Sequence, residues 1–247
     1  MLPHYYSSLR PFREVFRGGA PILTYHKLGP RPARVRLKGM YLGVPLFRRQ
    51  LEELRSAGMR SVGLDAVVAP GTSPHDSISI TFDDGFRNVL THAMEPLKRC
   101  GFRAIQFLIP DFIGKTNEWE QREGEAPEPL MNDAEVQHWL AAGHEIGSHT
   151  RTHPWLTRIT LDQAREEVAA SKKLLEDRFQ VAIRHFCYPY GDWNEAVRDL
   201  VSEAGYSTAC TTHAGINQPG ANPHSLKRFT ARYPSRNLKA IWQRLTA

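Results

Sequence analysis

The sequence predicts an α/β protein with a parallel sheet, and three observations carry that reading. Short apolar runs rich in Ile, Leu, Phe and Thr alternate with segments of helical period about seven times. No linker or short-period repeat divides the 247 residues, a length that one large α/β domain can fill. The residues capable of chemistry fall at the C-terminal ends of the apolar runs: His26, the pair Asp83-Asp84, His149 and the loop after Tyr188. That end is where (β/α) barrels build their sites. Periodicity alone does not separate such a barrel from an open doubly wound sheet.

Residues 1–19 interleave Arg10, Arg13 and Arg17 with Leu9, Phe12, Val15 and Phe16. They are expected as an N-terminal arm on a domain spanning 20–247, with weak peripheral membrane contact as the other use of that pattern. Ala20 to His26 reads as the first strand. Gly29, Pro30 and Pro32 open a loop, and the basic stretch from Arg31 to Lys38 is expected to be solvated and able to move. Phe47, Leu51 and Leu54 repeat at helical spacing after Pro45 and stop at Gly58. A short strand near 60–64, a short helix at 65–69 and a turn-rich link at 70–76 follow.

Ile78 to Phe82 is a strongly apolar strand, and 86–99 a helix carrying Pro96 in its last turn. The next strand is 102–109. Pro110 to Pro129 is polar and aperiodic, and is expected as a flap beside the site. Asn132 with Glu135, and Thr160 with Gln163, are capping boxes that start two helices. The second has Leu161, Ala164, Val168, Leu175 and Phe179 as its apolar stripe. Between them 144–148 is a strand that delivers His149. A strand at 182–188, a helix at 193–204, strands at 206–212 and 226–229, and a helix from Ser235 to Leu245 complete the chain.

The strand that ends at Phe82 runs directly into Asp83-Asp84-Gly85. Carboxylates at the mouth of a buried strand are costly unless something uses them. Neighbouring strand residues face opposite ways, so the pair shares a site only if the chain turns, which Gly85 permits. Further on, Ser148-His149-Thr150-Arg151-Thr152-His153 sets two histidines four apart, a spacing that on one helical turn puts both imidazoles on one face. Two His and one carboxylate are a usual donor set for an open catalytic metal site. One Asp is then left free as a base. A glycosidase needs two carboxylates separated by the width of a glycosidic bond, which adjacent residues supply poorly.

Thr81-Phe82-Asp83-Asp84-Gly85 and His149-Ser/Thr-type-His153 resemble, in this order and about sixty residues apart, the first two motifs of the polysaccharide deacetylase family (the NodB homology domain, carbohydrate esterase family 4). The resemblance implies an irregular, incomplete (β/α) barrel of about seven parallel strands. It also implies Asp83 as general base, and Asp84, His149 and His153 as ligands of one divalent metal ion, zinc first, with cobalt or nickel also suited. Phe186-Cys187-Tyr188-Pro189-Tyr190-Gly191 is similar to the third motif, with Cys187 where the family usually has the arginine that holds the base. Arg228 is the expected substitute. The backbone N–H of Tyr190 is the implied oxyanion donor, and Tyr188, Tyr190 and Trp193 are expected as an aromatic wall for a sugar ring. No late Leu-x-His motif is present. Tyr25-His26 instead resembles the circularly permuted members that act on poly-N-acetylglucosamine, which makes His26 the expected catalytic acid, ahead of His213 and His224.

Composition sets outer bounds. Hydrophobic content of 41% and charged content of 23% are those of a globular protein. The net charge of +6 suits an anionic glycan or lipid head groups, and no nucleic-acid-binding motif accompanies it. Three cysteines without CxxC spacing are no disulfide framework. The absence of a signal-like segment or a long apolar run leads to the expectation of a cytoplasmic protein without a transmembrane helix, acting in exopolysaccharide assembly. The expected partner is an N-acetylated glycan or glycan precursor. The alternatives are a non-catalytic glycan-binding protein on the same fold and an O-acetyl carbohydrate esterase.

Overall fold

The computed structural model describes residues 3, 5–33, 35–69, 76–121 and 124–233. The helix expected from Ser235 to Leu245 lies outside the described residues. In chain order the elements are α1 (Arg13–Arg17), β1 (Ile22–Tyr25), β2 (Lys27–Leu28), β3 (Tyr41–Leu42), α2 (Val44–Ser56), β4 (Arg60–Ser61), α3 (Leu64–Val68), β5 (Ser77–Phe82), α4 (Arg87–Cys100), β6 (Ile105–Leu108), α5 (Glu118–Gln121), α6 (Asp133–Ala141), β7 (Glu145–Ser148), α7 (Leu161–Phe179), β8 (His185–Cys187), α8 (Glu195–Glu203), β9 (Thr208–Cys210) and β10 (Phe229–Thr230).

The main sheet runs β10-β1-β5-β6-β7-β8-β9, with β4 added beside β5, and every pairing in it is parallel. Its strands are buried along nearly their whole length, which is why they read as continuous apolar runs. The two ends of the sheet meet in one short stretch. Leu226 forms a parallel bridge to Cys210, and three residues on, Phe229 pairs with Leu23 of β1. The strand expected at 226–229 is thus split between two partners and forms a seam between the two ends of the curled sheet, in keeping with the expected irregular, incomplete (β/α) barrel.

The core on one side of the sheet is aromatic: Tyr25, Phe47, Phe82 and Trp139 make successive ring contacts of 5.2–6.0 Å. The N-terminal arm adds Tyr6, Phe12 and Phe16, packed on Phe229. Both capping boxes form as the sequence predicts, Asn132 with Glu135 and Thr160 with Gln163, and α4 ends at Gly101 in the left-handed region, φ 69°. Residues 31–38 keep Arg31, Arg36 and Lys38 exposed, but the backbone is tied. Val35 is buried and the Leu37 N–H donates to Glu125 Oε1 at 2.6 Å.

Gly147 shows how tightly the sheet is built next to the site. A Cβ there would lie 2.6 Å from the Phe107 ring and 2.8 Å from the His185 carbonyl oxygen. Gly147→Ala is therefore expected to destabilise the fold by about 1–3 kcal/mol through overpacking. Chemical denaturation measures this, and an unchanged midpoint would show that the strands separate freely at that point.

Candidate active site

The strand β5 ends at Phe82, and Asp84 and Gly85 then adopt φ of 73° and 77°. Two consecutive left-handed residues turn the chain sharply enough to bring both carboxylates to one cavity. An added Cβ at Gly85 would sit 3.0 Å from Leu108, so both conformation and space favour glycine there. Asp83 stays tied to the sheet by its N–H, which donates to the Tyr25 carbonyl oxygen at 3.0 Å. Both carboxylates are buried.

Asp83 is gripped by Arg228. Nη1 donates to Oδ1 and Nη2 to Oδ2, each at 2.8 Å. The other guanidinium contacts are equally complete: Nε to the Thr211 carbonyl oxygen at 2.9 Å, Nη1 to Thr81 Oγ1 at 3.0 Å and Nη2 to Cys187 Sγ at 3.1 Å. Thr81 can accept because its own hydroxyl donates to the Leu23 carbonyl. Burial alone would raise the Asp83 carboxyl, but the charge and hydrogen bonds of Arg228 outweigh it and hold the group below its ordinary value. Asp83 is therefore a fixed anion. The sulfur of Cys187 occupies the side of the guanidinium where an arginine at position 187 would collide with it, which accounts for the departure of Cys187 from the family pattern.

His149 and His153 do come together, but the expectation of a helical turn is corrected. Residues 149–153 form an irregular loop with Thr150 and His153 at φ of 64° and 66°. Thr150 Oγ1 accepts the His153 N–H at 2.9 Å. Glu167, from α7, accepts the N–H groups of Arg151 and Thr152 at 2.9 and 2.8 Å and the Thr152 hydroxyl at 2.6 Å. These side-chain acceptors replace the helical bonds the loop forgoes, and they offset the cost of left-handed non-glycine residues.

Asp84 Oδ1 lies 3.3 Å from His149 Nε2 and 3.4 Å from His153 Nε2. Two bonds of about 2.1 Å at a tetrahedral angle leave their outer atoms about 3.4 Å apart, so the spacing fits a zinc-sized ion. The tautomer of His149 fits as well. Its Nδ1 is 2.7 Å from the Cys187 carbonyl oxygen, which can only accept, so the proton sits on Nδ1 and Nε2 is left for a ligand. Asp83, His149 and Cys187 also approach one another, but Arg228 already places a positive charge on two of those three. The donor set Asp84, His149 and His153 is the one suited to a cation.

His26 follows β1 and sets Nε2 3.6 Å from Asp83 Oδ2. Burial lowers its pKa, with Asp83 and Asp84 opposing. The cavity of about 340 Å³ that holds these groups is lined by His26, Asp83, Asp84, His149 and His153, with Tyr188 and Tyr190. His213 and His224 are outside it. His213 is exposed, and His224 Nε2 donates to the Tyr206 carbonyl at 2.8 Å.

The expected aromatic wall is corrected in one of its members. Tyr188 is almost fully buried and lines the cavity, its hydroxyl donating to the His224 carbonyl at 2.9 Å. Trp193 packs on Tyr188 with ring centroids 6.0 Å apart and is not among the cavity residues. Tyr190 lines the cavity with Tyr188. It stacks flat on Trp155, 4.1 Å away and 2° from parallel, and its φ of 59° beside Gly191 at 71° bends the loop inward. A Cβ at Gly191 would lie 2.0 Å from Thr212 Oγ1.

Sequence reasoning missed Trp155, Trp119, Glu120 and Lys27. Trp119 sets its ring 4.9 Å from that of His153. Glu120 lines the cavity and pairs with the fully buried Lys27 at 2.5 Å. The signal was present in Trp119-Glu120, an aromatic-acidic pair within the otherwise aperiodic stretch 110–129, which the structure brings beside the site through α5.

A family model for polysaccharide deacetylases matches residues 71–209. YxkH of Bacillus subtilis is 26% identical over 214 residues, covering 84% of this chain and 70% of the relative. A chitooligosaccharide deacetylase of a Bradyrhizobium species is 28% identical, over 52% of this chain and 52% of its own length, so the chain spans about half of that relative. Among solved structures, the Streptococcus pyogenes deacetylase PplD in complex with acetate superposes with a TM-score of 0.74 at 21% identity, covering 91% of this chain and 96% of the other.

Two outcomes are expected from this geometry. Wild-type protein should bind about one divalent ion per chain, lost in both His149→Ala and Asp84→Asn; metal analysis of the purified proteins measures it, and a full complement in either variant would refute the ligand set. Arg228→Leu leaves Asp83 buried without its counter-charge and is expected to cost about 3–5 kcal/mol, read by thermal or chemical denaturation. Adding Cys187→Arg should restore part of that loss, because the new guanidinium enters from the adjoining strand.

Proposed function

The chain belongs to the polysaccharide deacetylase family, and on that premise we propose that it is a metal-dependent hydrolase that removes N-acetyl groups from amino sugars of a polysaccharide or glycan precursor, releasing acetate. The observation that carries this reading is the division of labour between adjacent carboxylates. Asp84 faces two histidines at 3.3 and 3.4 Å, whereas both oxygens of Asp83 are taken up by a bidentate arginine. The names of the relatives support the substrate class.

Asp84, His149 and His153 would hold the divalent ion, zinc first. When bound, such an ion supplies Lewis-acid polarisation of the acyl oxygen and makes water more acidic. The remaining work falls to the chain itself. Asp83, ionised and unable to rotate, takes the proton of the attacking water. The backbone N–H of Tyr190 donates to the acyl oxygen as negative charge develops there. His26, with Nε2 3.6 Å from Asp83 Oδ2, delivers a proton to the departing nitrogen, without which the amine is a very poor leaving group. The stacked rings of Tyr190 and Trp155 give the sugar a flat apolar surface beside the reacting group.

Asp83→Asn preserves the shape of the side chain and keeps one of the two acceptors that face Arg228, but removes the base. Acetate release from N-acetylated oligosaccharides is expected to fall about 10²–10⁴-fold while metal content is retained. Full activity in this variant would overturn the assignment of Asp83, and release only from O-acetyl sugars would establish the esterase alternative.

A further inference from the structure

Next to the catalytic cavity lies a second, larger groove of about 930 Å³, and the two share Tyr5 and Arg232 as lining residues. Their remaining charged residues differ. The catalytic cavity contains Asp83, Asp84 and Glu120. The groove is lined by Arg31, Lys38 and Arg232 and by the aromatic residues Tyr5, Tyr41 and Tyr233, with no acidic residue among them. Among the described residues no carboxylate pairs with Arg31, Lys38 or Arg232, whereas Arg17, Arg48, Arg87, Arg99, Arg151 and Arg178 each have one.

Arg232 is built into its place. Its guanidinium lies 4.1 Å from the Tyr5 ring centroid. The backbone at Gly39 comes so close that an added Cβ would be 2.8 Å from Arg232 Cζ. The Nε is buried and has no hydrogen-bond partner. A cation stacked on an aromatic ring, crowded by a glycine backbone and without a counter-ion among the described residues has already lost the freedom it would give up on binding an anion. The neighbouring glycine is used in the same way: the Gly43 N–H donates to Tyr233 Oη at 3.0 Å, and a Cβ at Gly43 would lie 2.2 Å from that oxygen. This arrangement gives the groove an ordered aromatic and cationic lining at the mouth of the site.

We propose that this groove receives a negatively charged portion of the substrate, so that the protein acts on an anionic glycan whose phosphate or carboxylate group lies near the acetamido sugar. The inference rests on the deacetylase reading for the position of the acetamido group. The aromatic rings supply surface for intervening sugars, and the three cations supply the recognition.

The test uses chitotetraose in matched forms: fully N-acetylated and neutral, phosphorylated at the reducing end, phosphorylated on the 6-hydroxyl of the non-reducing end, and oxidised at the reducing end to the carboxylate. Dissociation constants are measured on metal-free protein, where nothing turns over, and acetate release on the metal-loaded protein. At least one charged form is expected to bind about tenfold more tightly than the neutral one at low salt, and the advantage should shrink as ionic strength rises. It should fall below about twofold in the Arg31→Gln/Lys38→Gln protein, with binding of the neutral form unchanged. Arg232→Gln is the second variant, expected to lose the same advantage. The phosphate and carboxylate arms identify which anion is preferred. Equal binding of charged and neutral forms, or no binding of any charged form, overturns the inference. A retained charge preference with no acetate released from any form removes the deacetylase reading and leaves the anion groove standing.

Discussion

Everything near the site depends on one buried ion pair. Asp83 and Arg228 are both almost wholly withdrawn from water, and withdrawing two such charges costs several kcal/mol each before they attract one another. The pair is tolerable because nothing in it is left unmet. All the nitrogen atoms of the guanidinium find acceptors, and both carboxylate oxygens find donors. The same bonds fix the orientation of Asp83, shape the space left for Cys187 and engage both oxygens of the base. A single geometry therefore serves stability and chemistry together.

Position 187 and position 228 illustrate that a carboxylate can be held from either side of a barrel strand. The family pattern supplies the arginine from β8, whereas this chain supplies it from the closing seam. What must be kept is the bidentate fork, not its point of origin in sequence. The small sulfur at 187 and the long reach from 228 are complementary halves of one solution.

Much of this was legible in the sequence, for physical reasons that differ between residues. Buried parallel strands announce themselves as continuous apolar runs, so β1, β5 and β6 were plain, and two reciprocal capping boxes marked the starts of α6 and α7. Asp83 and Asp84 were legible because an acid at the end of a buried strand has few structural excuses. The His149–His153 spacing was legible as a pair, but not as a loop. Its shape depends on Glu167, fourteen residues beyond His153, and no local pattern reports such a bond. The aromatic wall misread Trp193 because an aromatic side chain looks alike in sequence whether it faces a sugar or a core. Trp155 and Glu120 were missed because their relation to the site is created by tertiary packing alone.

The seam has a consequence for the order in which the molecule is made. Arg228 lies 145 residues after Asp83, so the acid is synthesised well before its counter-ion. Without residues 226–230 joined to β9 and β1, Asp83 has no guanidinium to offset its charge, and only water and neutral donors such as the Thr24 hydroxyl can solvate it. The segment that links the two ends of the sheet therefore also supplies the cation that fixes the base.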